Sequence, residues 1–254
     1  MEASYNNSQA CRHSQSLFDL APDSVHVWSG SQEQHPDAIV GFHKILSPDE
    51  QEKASRFKFE IHRRHFIAAH GMLRRLLGNY LRVGPHQVRF RKSKYDKPFL
   101  SEEFEASRLK FNMSHSGGRV MLAFAIGREL GVDIEQIRPD FGTQEIAERF
   151  FSRSEIEKLR SLPVSVQAEA FFNCWTRKEA FIKAIGEGLS CPLDRFDVTL
   201  APGEPARLLA TRVEGQPASR WSMQSLDAPD GYKAAIVVEG QGWNLSVESW
   251  DNGR

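Results

Sequence analysis

The chain has 254 residues, of which 40% are hydrophobic and 26% charged, a composition typical of a globular protein with one large or two average domains. Lysine plus arginine and aspartate plus glutamate both number 33, so no overall field is expected to recruit nucleic acid or an anionic membrane. The three cysteines show no CxxC spacing, which argues against a disulfide framework or a zinc site and favours the reducing cytoplasm.

The first 22 residues are predicted to form an N-terminal polar tail, because they lack the apolar centre of a signal peptide. The longest apolar run extends from Val120 to Ile126 and is far shorter than the roughly 20 residues of a membrane-spanning helix. We therefore expect no association with a membrane.

An internal repeat is visible in two helix-starting segments. LSPDEQEK at 46–53 and FSRSEIEK at 151–158 share four residues at a constant offset of 105. Each has a serine followed three positions later by glutamate, a common helix start that can also match by chance. The strand-like VHVW at 25–28 precedes the first segment as VDIE at 132–135 precedes the second, and this shared order favours duplication.

The repeat predicts two similar halves, residues 23–127 and residues 128–254. The predicted fold class is α/β (α+β), with the halves related by a pseudo-two-fold repeat. The interface between such halves is a natural place for a ligand cleft.

A basic surface is predicted on the helix of the first half. The apolar residues of 65–81 recur at three- and four-residue spacing, which indicates an amphipathic helix. Lys53 and Arg64 belong to a run of seven cations between residues 53 and 75. Such a cluster could hold phosphates, although a solvated helix face is the simpler interpretation of any single member.

Two polar segments follow in the first half. YDKPFL at 95–100 offers Lys97, whose backbone is restricted by the proline after it. FNMSHSGG at 111–118 is predicted to form a turn in which Ser114 and His115 could bind a phosphate. A turn histidine is also often merely exposed.

Carboxylates mark the second half. In GVDIEQI at 131–137, strand alternation places Asp133 and Glu135 on one face and Val132 and Ile134 on the other. In WTRKEAFIK at 175–183, Glu179 and Lys183 lie one helical turn apart. If Glu179 approaches Asp133 and Glu135, the three carboxylates repel unless a cation lies between them, and an all-oxygen set of this size favours magnesium over calcium.

Purely structural interpretations are also open for the residues of the same helix. Lys178 falls inside the apolar stripe, where it would extend along its aliphatic stem to reach solvent. Glu179 and Lys183 would then be an ordinary surface ion pair.

Five segments in fixed order, FNMSHSG, GVDIE, RFFSRSE, WTRKEAFIK and GLSCPLDRF, resemble the Sfp-type 4′-phosphopantetheinyl transferases, and DKP corresponds to that family's GKP. The resemblance covers roughly residues 25 to 240. It implies two α/β halves with coenzyme A bound between them. It also implies attack by a carrier-protein serine on the β-phosphorus of coenzyme A, which leaves 3′,5′-ADP and a phosphopantetheinyl serine.

The resemblance implies that Asp133, Glu135 and Glu179 hold Mg²⁺ and that Glu179 is also a candidate base. Lys183 would stabilise charge on the pyrophosphate. The other expected contacts to coenzyme A, with His115 on the 3′-phosphate, are Lys53, Arg64, Lys97, Ser114, His115, Arg138 and Lys178. Two residues depart from the family pattern, since Asp96 replaces the glycine of GKP and Glu50 stands where some relatives carry lysine.

The expected acceptors are apo acyl-carrier or peptidyl-carrier proteins of fatty acid, polyketide or nonribosomal peptide biosynthesis. The chain resembles family members that have two halves and act as monomers, so the resemblance implies a monomer. The alternative function is a non-catalytic module that binds coenzyme A or a carrier protein. A magnesium phosphohydrolase that acts on nucleotides is a third reading.

Overall fold

The computed structural model describes residues 17–138 and 142–250. Most of the predicted tail, residues 1–16 with Cys11, lies outside the described residues. Residues 17–22 do not behave as a tail, because Leu17, Phe18 and Leu20 pack on the core and the ring of Phe18 stacks on Trp28 at 5.6 Å. The prediction is therefore wrong for Leu17, Phe18 and Leu20, since apolar side chains gain free energy by leaving water.

Within the described residues, each half has one strand, three helices and four further strands. In the first half they are β1 (Ser24–Ser31), α1 (Pro36–Ile45), α2 (Pro48–Ser55), α3 (Glu60–Leu81), β2 (Phe90–Lys92), β3 (Pro98–Leu100), β4 (Leu109–Ser116) and β5 (Arg119–Ile126). In the second half they are β6 (Leu130–Gln136), α4 (Thr143–Phe150), α5 (Arg153–Ser161), α6 (Val164–Ile185), β7 (Phe196–Val198), β8 (Leu208–Thr211), β9 (Trp221–Leu226) and β10 (Tyr232–Glu239). A last strand, β11 (Asn244–Ser249), follows.

The strand pairing repeats between the halves as well. The two main sheets have the orders β11-β1-β5-β4 and β6-β10-β9, so that the antiparallel run β1-β5-β4 corresponds to β6-β10-β9. The hairpin of β2 and β3 likewise corresponds to that of β7 and β8. The structure thus shows the mixed helix and sheet fold and the internal repeat that the sequence predicted.

Four layers are set by strand alternation. On β6, Val132 and Ile134 are fully buried in the core between the two sheets. The opposite faces are covered by the long helices, α3 on the first sheet and α6 on the second. Asp133 and Glu135, on the other face of β6, are therefore turned toward α6.

The repeated helix starts are confirmed in detail. Ser47 of the first half and Ser152 of the second each form a capping box with the glutamate three residues later. Each glutamate also pairs with a buried cation of the following long helix, Glu50 with Arg74 and Glu155 with Lys178. The duplication therefore preserves a buried ion pair in addition to a helix cap.

One strand crosses the predicted boundary between the halves. β11 lies parallel to β1, with Ser24 opposite Asn244 and Ser29 opposite Ser249. Residues 244–249 thus belong to the sheet of the first half, although they were predicted within 128–254. No local pattern in the sequence indicates this pairing, because its partners are separated by almost the whole chain.

Side chains connect the halves at the edge strands β4 and β6. Asn112 Oδ1 accepts from the Val132 backbone N–H at 2.9 Å. Ser114 and Ser116 donate to Asp133 and Glu135 at 2.7 and 2.6 Å. These alternate residues of β4 fix the position of the acidic strand relative to the first half.

A glycine allows β6 to approach α6 closely. A Cβ atom on Gly131 would overlap the carbonyl oxygen of Ala180 and the backbone nitrogen of Ala184. Backbone atoms of a packed helix cannot move independently, so only glycine fits at this contact.

We expect Gly131→Ala to lower the free energy of unfolding by about 1–3 kcal/mol, because the added methyl overpacks the contact between strand and helix. Urea unfolding measures this change. Gly41→Ala on α1 is the matched control, since its Cβ would meet nothing closer than the Arg75 side chain at 3.7 Å. Equal stability of the two variants would contradict the close approach.

Candidate active site

The second half contributes three carboxylates and one cation to the cleft. Asp133 is 2% exposed on β6, and Glu135 on the same face is partly exposed. α6 lies over this face and supplies Glu179 and, one turn later, Lys183. The four side chains lie close together, because Lys183 contacts Asp133 and the charges of Asp133, Glu135 and Lys183 all act on Glu179.

Lys183 connects the two halves. Its Nζ lies 2.6 Å from Asp133 Oδ1 and donates to Ser114 Oγ at 2.9 Å. Ser114 in turn donates to the same Asp133 oxygen. Asp133 Oδ1 thus accepts one bond from an ammonium group and one from a hydroxyl group, and together they fix the orientation of the carboxylate.

The second oxygen of Asp133 has no such partner. Asp133 Oδ2 is buried and accepts no hydrogen bond within residues 17–138 and 142–250. Burial raises the pKa of this carboxyl, and the ammonium of Lys183 and the hydroxyl of Ser114 only partly oppose the shift. A buried carboxylate oxygen without a hydrogen-bond partner is a suitable position for a cation to bind.

The pKa values of Glu179 and Glu135 are also raised. Burial, followed by the negative charges of Asp133 and Glu135, raises the pKa of Glu179 to about 7. Burial also raises the pKa of Glu135, while the Ser116 hydroxyl favours its charged form. The three acids therefore lie close enough to repel one another, which a cation would relieve.

The first half presents imidazoles and a lysine to the cleft. Partial removal from water lowers the pKa of His115, and the charges of Lys183, His70, His65 and Lys53 lower it further. Four positive or protonatable side chains therefore lie near His115. This cluster is suited to a polyanionic ligand.

Comparisons with known proteins agree with this geometry. A family model described as "4'-phosphopantetheinyl transferase superfamily" matches residues 129–237, and one described as "4'-phosphopantetheinyl transferase, N-terminal" matches residues 27–126. The 4'-phosphopantetheinyl transferase HetI of Nostoc sp. is 40% identical over 224 residues, which are 88% of this chain and 91% of that protein. The chain belongs to the 4′-phosphopantetheinyl transferase family.

Two further matches have lower sequence identity. The 4'-phosphopantetheinyl transferase Sfp of Bacillus subtilis is 35% identical over 159 residues, which are 63% of this chain and 68% of that protein. A holo-(acyl-carrier-protein) synthase from Bacillus anthracis, solved in complex with CoA, is 21% identical with a TM-score of 0.37 and covers 44% of this chain and 96% of its own. The resemblance inferred from the sequence motifs is confirmed by the family models and by HetI.

The metal that this family implies can be tested against the donors present. Within the described ranges, no three acidic, histidine or cysteine side chains form a ready-made metal group. Magnesium, however, usually keeps several waters and takes one or two carboxylates together with substrate phosphates. The buried, unpartnered Asp133 Oδ2 and the repulsion at Glu135 and Glu179 supply oxygen donors of that kind, so the site fits a hard cation completed by substrate.

Lys178 is not a ligand contact of the transferase. Its side chain is fully buried, and Nζ lies 2.8 Å from Glu155 and donates to the carbonyls of Leu193 and Phe196 at 2.7 Å each. These three bonds use all the donors of an ammonium group. The prediction that Lys178 binds coenzyme A is wrong, and so is the alternative that it extends to solvent.

Lys97 is also engaged within the protein. Its ammonium donates to the Lys183 carbonyl in the last turn of α6 at 2.6 Å and lies 3.7 Å from Glu129. Burial lowers its pKa. A cation at a helix C-terminus is stabilising, so Lys97 anchors the β2–β3 hairpin to α6. This contact does not support its predicted role as a phosphate ligand.

The remaining predicted contacts differ in their surroundings. Ser114 and His115 lie in strand β4, and only Gly117 and Gly118 form the turn, so the predicted turn is two residues long. Arg64 donates to the Gln34 carbonyl at 2.9 Å, and Arg138 lies close enough to lower the pKa of Glu135. The sequence analysis did not predict four residues near the site, which are His65, His70, Asn112 and Ser116. Two of them could have been found from strand alternation, because Asn112 and Ser116 lie on the same face of β4 as Ser114.

Glu50, the departure from the family pattern, is paired with two side chains of α3. Its carboxylate lies 2.5 Å from Arg74 Nε and 3.1 Å from His70 Nδ1. Burial alone would raise its pKa, but the His70 bond, the Ser47 backbone N–H and the Arg74 charge outweigh it and lower the pKa to about 2. The charge of Glu50 is thus neutralised by protein groups.

We expect this ion pair to stabilise the transferase in a pH-dependent way. Because the pKa of Glu50 falls from 4.5 to about 2 on folding, its contribution is complete above pH 4.5 and is lost as the pH falls toward 2. Glu50→Gln should lower the free energy of unfolding by about 2–3 kcal/mol at pH 7 and by progressively less below pH 4.5. Urea unfolding from pH 7 to pH 3 tests this, and a pH-independent difference would contradict it.

Proposed function

We propose that this protein transfers the 4′-phosphopantetheinyl group of coenzyme A to a serine of an apo acyl- or peptidyl-carrier protein, with Mg²⁺, and releases 3′,5′-ADP. The observation that best supports this proposal is the contact among Lys183, Asp133 and Ser114. It brings an ammonium group and an acidic cluster together where the two halves meet. Family membership supports the same reaction.

The reaction is a phosphoryl transfer to a hydroxyl. The serine oxygen forms a bond to the β-phosphorus, and the bond from that phosphorus to the oxygen shared with the α-phosphate breaks. The serine proton leaves with a base, and the electron pair of the broken bond remains on 3′,5′-ADP. Such reactions depend on positioning and on stabilisation of charge.

Glu179 is the proposed base. A carboxylate with a pKa of about 7 can accept a proton near neutral pH and pass it on. Asp133, Glu135 and Glu179 would hold Mg²⁺, which when bound neutralises pyrophosphate charge. Lys183 adds a fixed positive charge at the junction of the halves.

The first half would bind the nucleotide phosphates. Lys53 and Lys183 both lie close enough to His115 to lower its pKa, and Ser114 accepts a hydrogen bond from Lys183. Arg64 and Arg138 remain proposed contacts. The coenzyme would therefore lie across the junction of β4 with β6.

The setting of the reaction is also a proposal. Among the described residues no helix is both long and apolar enough to cross a membrane. The buried thiols of Cys174 and Cys191 are free, which suits a reducing compartment. We propose a cytoplasmic monomer.

Intact mass of an apo carrier protein after incubation with this protein, coenzyme A and Mg²⁺ tests the function. We expect a gain of roughly 340 Da, the mass of one phosphopantetheinyl group, that disappears with EDTA. A carrier whose acceptor serine is replaced by alanine is the control. Coenzyme A binding without any gain across acyl- and peptidyl-carrier proteins would support the binding module, and phosphate release without an acceptor would support the phosphohydrolase.

A further inference from the structure

The β4–β5 turn of the first half is held by a tyrosine of the second half. The hydroxyl of Tyr232, on β10, donates to the carbonyl oxygen of Gly117 at 2.5 Å. Gly117 directly follows Ser116, whose hydroxyl donates to Glu135 at 2.6 Å. The tyrosine bond therefore joins the two halves beside the acidic cluster.

Tyr232 is itself fixed by its surroundings. Its ring packs against the core between the two sheets, and its backbone lies opposite Gln136 in the antiparallel pair of β6 and β10. The next residue, Lys233, lies opposite Glu135 and pairs with Glu169 of α6 at 2.6 Å. The hydroxyl is thus presented by a packed part of the second half, which has little freedom to follow the turn if the turn moves.

The turn fits closely around this hydroxyl. Gly117 has a φ of +53°, and a Cβ atom there would lie 2.6 Å from Tyr232 Oη and 2.5 Å from Gln136 Oε1. Gly118 has a φ of +81°, but a Cβ atom on it would meet nothing closer than 3.6 Å. Both positions favour glycine because of their backbone, and Gly117 also needs it for the contact with the second half.

The end of β4 carries side chains for both parts of the proposed coenzyme site. Strand alternation turns Ser114 and Ser116 toward the acids of β6. His115 lies on the alternate face, and Lys53 of α2 is close enough for its charge to lower the pKa of His115. The position of this strand end therefore sets the spacing between the acidic cluster and the phosphate contacts proposed for the first half.

The turn is held from the first half as well. The carbonyl oxygen of Gly118 accepts from the backbone N–H of Gln32, at the end of β1, with a distance of 2.7 Å. Loss of the tyrosine bond would leave the turn attached to the first half and free to move away from the second. One hydrogen bond corresponds to about a threefold to tenfold shift between such arrangements.

We propose that Tyr232 is a positioning residue for coenzyme A, because its hydroxyl fixes the β4–β5 turn and with it the spacing between the two parts of the site. The inference rests on the proposed function, since coenzyme A is the ligand that spans this spacing. Affinity falls with the fraction of molecules whose turn is in place. Asp133, Glu179 and Lys183 all lie in the second half and keep their mutual arrangement once the coenzyme is bound.

Tyr232→Phe removes the hydroxyl and keeps the ring. We expect the KM for coenzyme A to rise about threefold to tenfold, with kcat within about twofold of the wild-type value. Hydrogen exchange followed by mass spectrometry should show faster exchange of residues 114–121 in the ligand-free variant than in ligand-free wild type. Bound coenzyme A should slow the exchange of the same residues in both proteins.

Tyr80→Phe is the matched control for loss of a tyrosine hydroxyl. Tyr80 Oη bonds to His26 Nδ1 and to Trp28 Nε1 at 2.9 Å each, and all three residues belong to the first half. This variant should unfold at a lower urea concentration than wild type. It should leave the KM for coenzyme A and the exchange of residues 114–121 unchanged, which separates positioning from a general loss of stability.

Two glycine variants test the contact from the other side. Gly117→Ala should raise the KM at least as far as Tyr232→Phe, because the added methyl displaces the hydroxyl. Gly118→Ala shares the left-handed backbone and lacks the overlap, so it should raise the KM less.

The outcomes separate the two claims. A raised KM together with faster exchange of residues 114–121 in Tyr232→Phe supports the inference. An unchanged KM, unchanged exchange, or an equal rise of the KM in Tyr80→Phe overturns it and leaves the proposed function intact. Absence of coenzyme A binding by the wild-type protein overturns both.

Discussion

Glu179→Gln is expected to reduce transfer to the carrier protein by about 10²- to 10⁴-fold in kcat, because an amide neither accepts the serine proton nor carries the charge of a carboxylate. The loss should appear in intact-mass time courses at saturating coenzyme A. Affinity for coenzyme A measured without Mg²⁺ should change little, since the phosphate contacts proposed for the first half are untouched.

Stability distinguishes lost chemistry from lost fold in this variant. In the ligand-free protein the pKa of Glu179 is raised to about 7, so folding favours its protonated form. Stability therefore falls as the pH rises from about 4.5 to 7, and the uncharged glutamine should remove that fall. Glu157→Gln, on the exposed face of α5, is the control for both readouts. Transfer within threefold of wild type in Glu179→Gln would contradict its role.

Lys178→Met is expected to lower the free energy of unfolding by about 3–5 kcal/mol, since it leaves Glu155 as a buried charge without its cation. The carbonyls of Leu193 and Phe196 also lose their donor. Urea unfolding measures the loss, and the KM for coenzyme A of the folded fraction should stay at the wild-type value.

A second substitution tests the cause of that loss. Glu155→Gln removes the charge and keeps an acceptor for the α5 cap, so the double variant with Lys178→Met should recover part of the stability. Lys158→Met, at an exposed position of α5, should be near neutral. Wild-type stability combined with a raised KM would instead make Lys178 a ligand contact.

Local patterns were sufficient where a single element determined the outcome. Strand alternation placed Asp133 and Glu135 on one face, and helical spacing placed Glu179 and Lys183 one turn apart. Their meeting required α6 to lie against β6, which depends on the tertiary contact at Gly131. Sequence periodicity did not predict this contact. The family resemblance predicted that the side chains meet.

The contacts of Lys178 could not be predicted from local sequence patterns. Periodicity correctly placed it in the apolar stripe but could not show that Glu155, from another helix, meets it there. The repeat contained the missing signal, because Glu50 and Arg74 form the equivalent pair in the first half. His70 was overlooked for a similar reason, since its partner Glu50 lies on a different helix.

The parallel pairing of β11 with β1 also constrains the order of folding. During synthesis β1 emerges among the first elements, yet one of its edges stays without a neighbour until residues 244–249 have been made. Contacts of such sequence separation form late and slow the folding of a chain. The first half thus reaches its final sheet only after the second half exists, and in the meantime its open strand edge is exposed to aggregation.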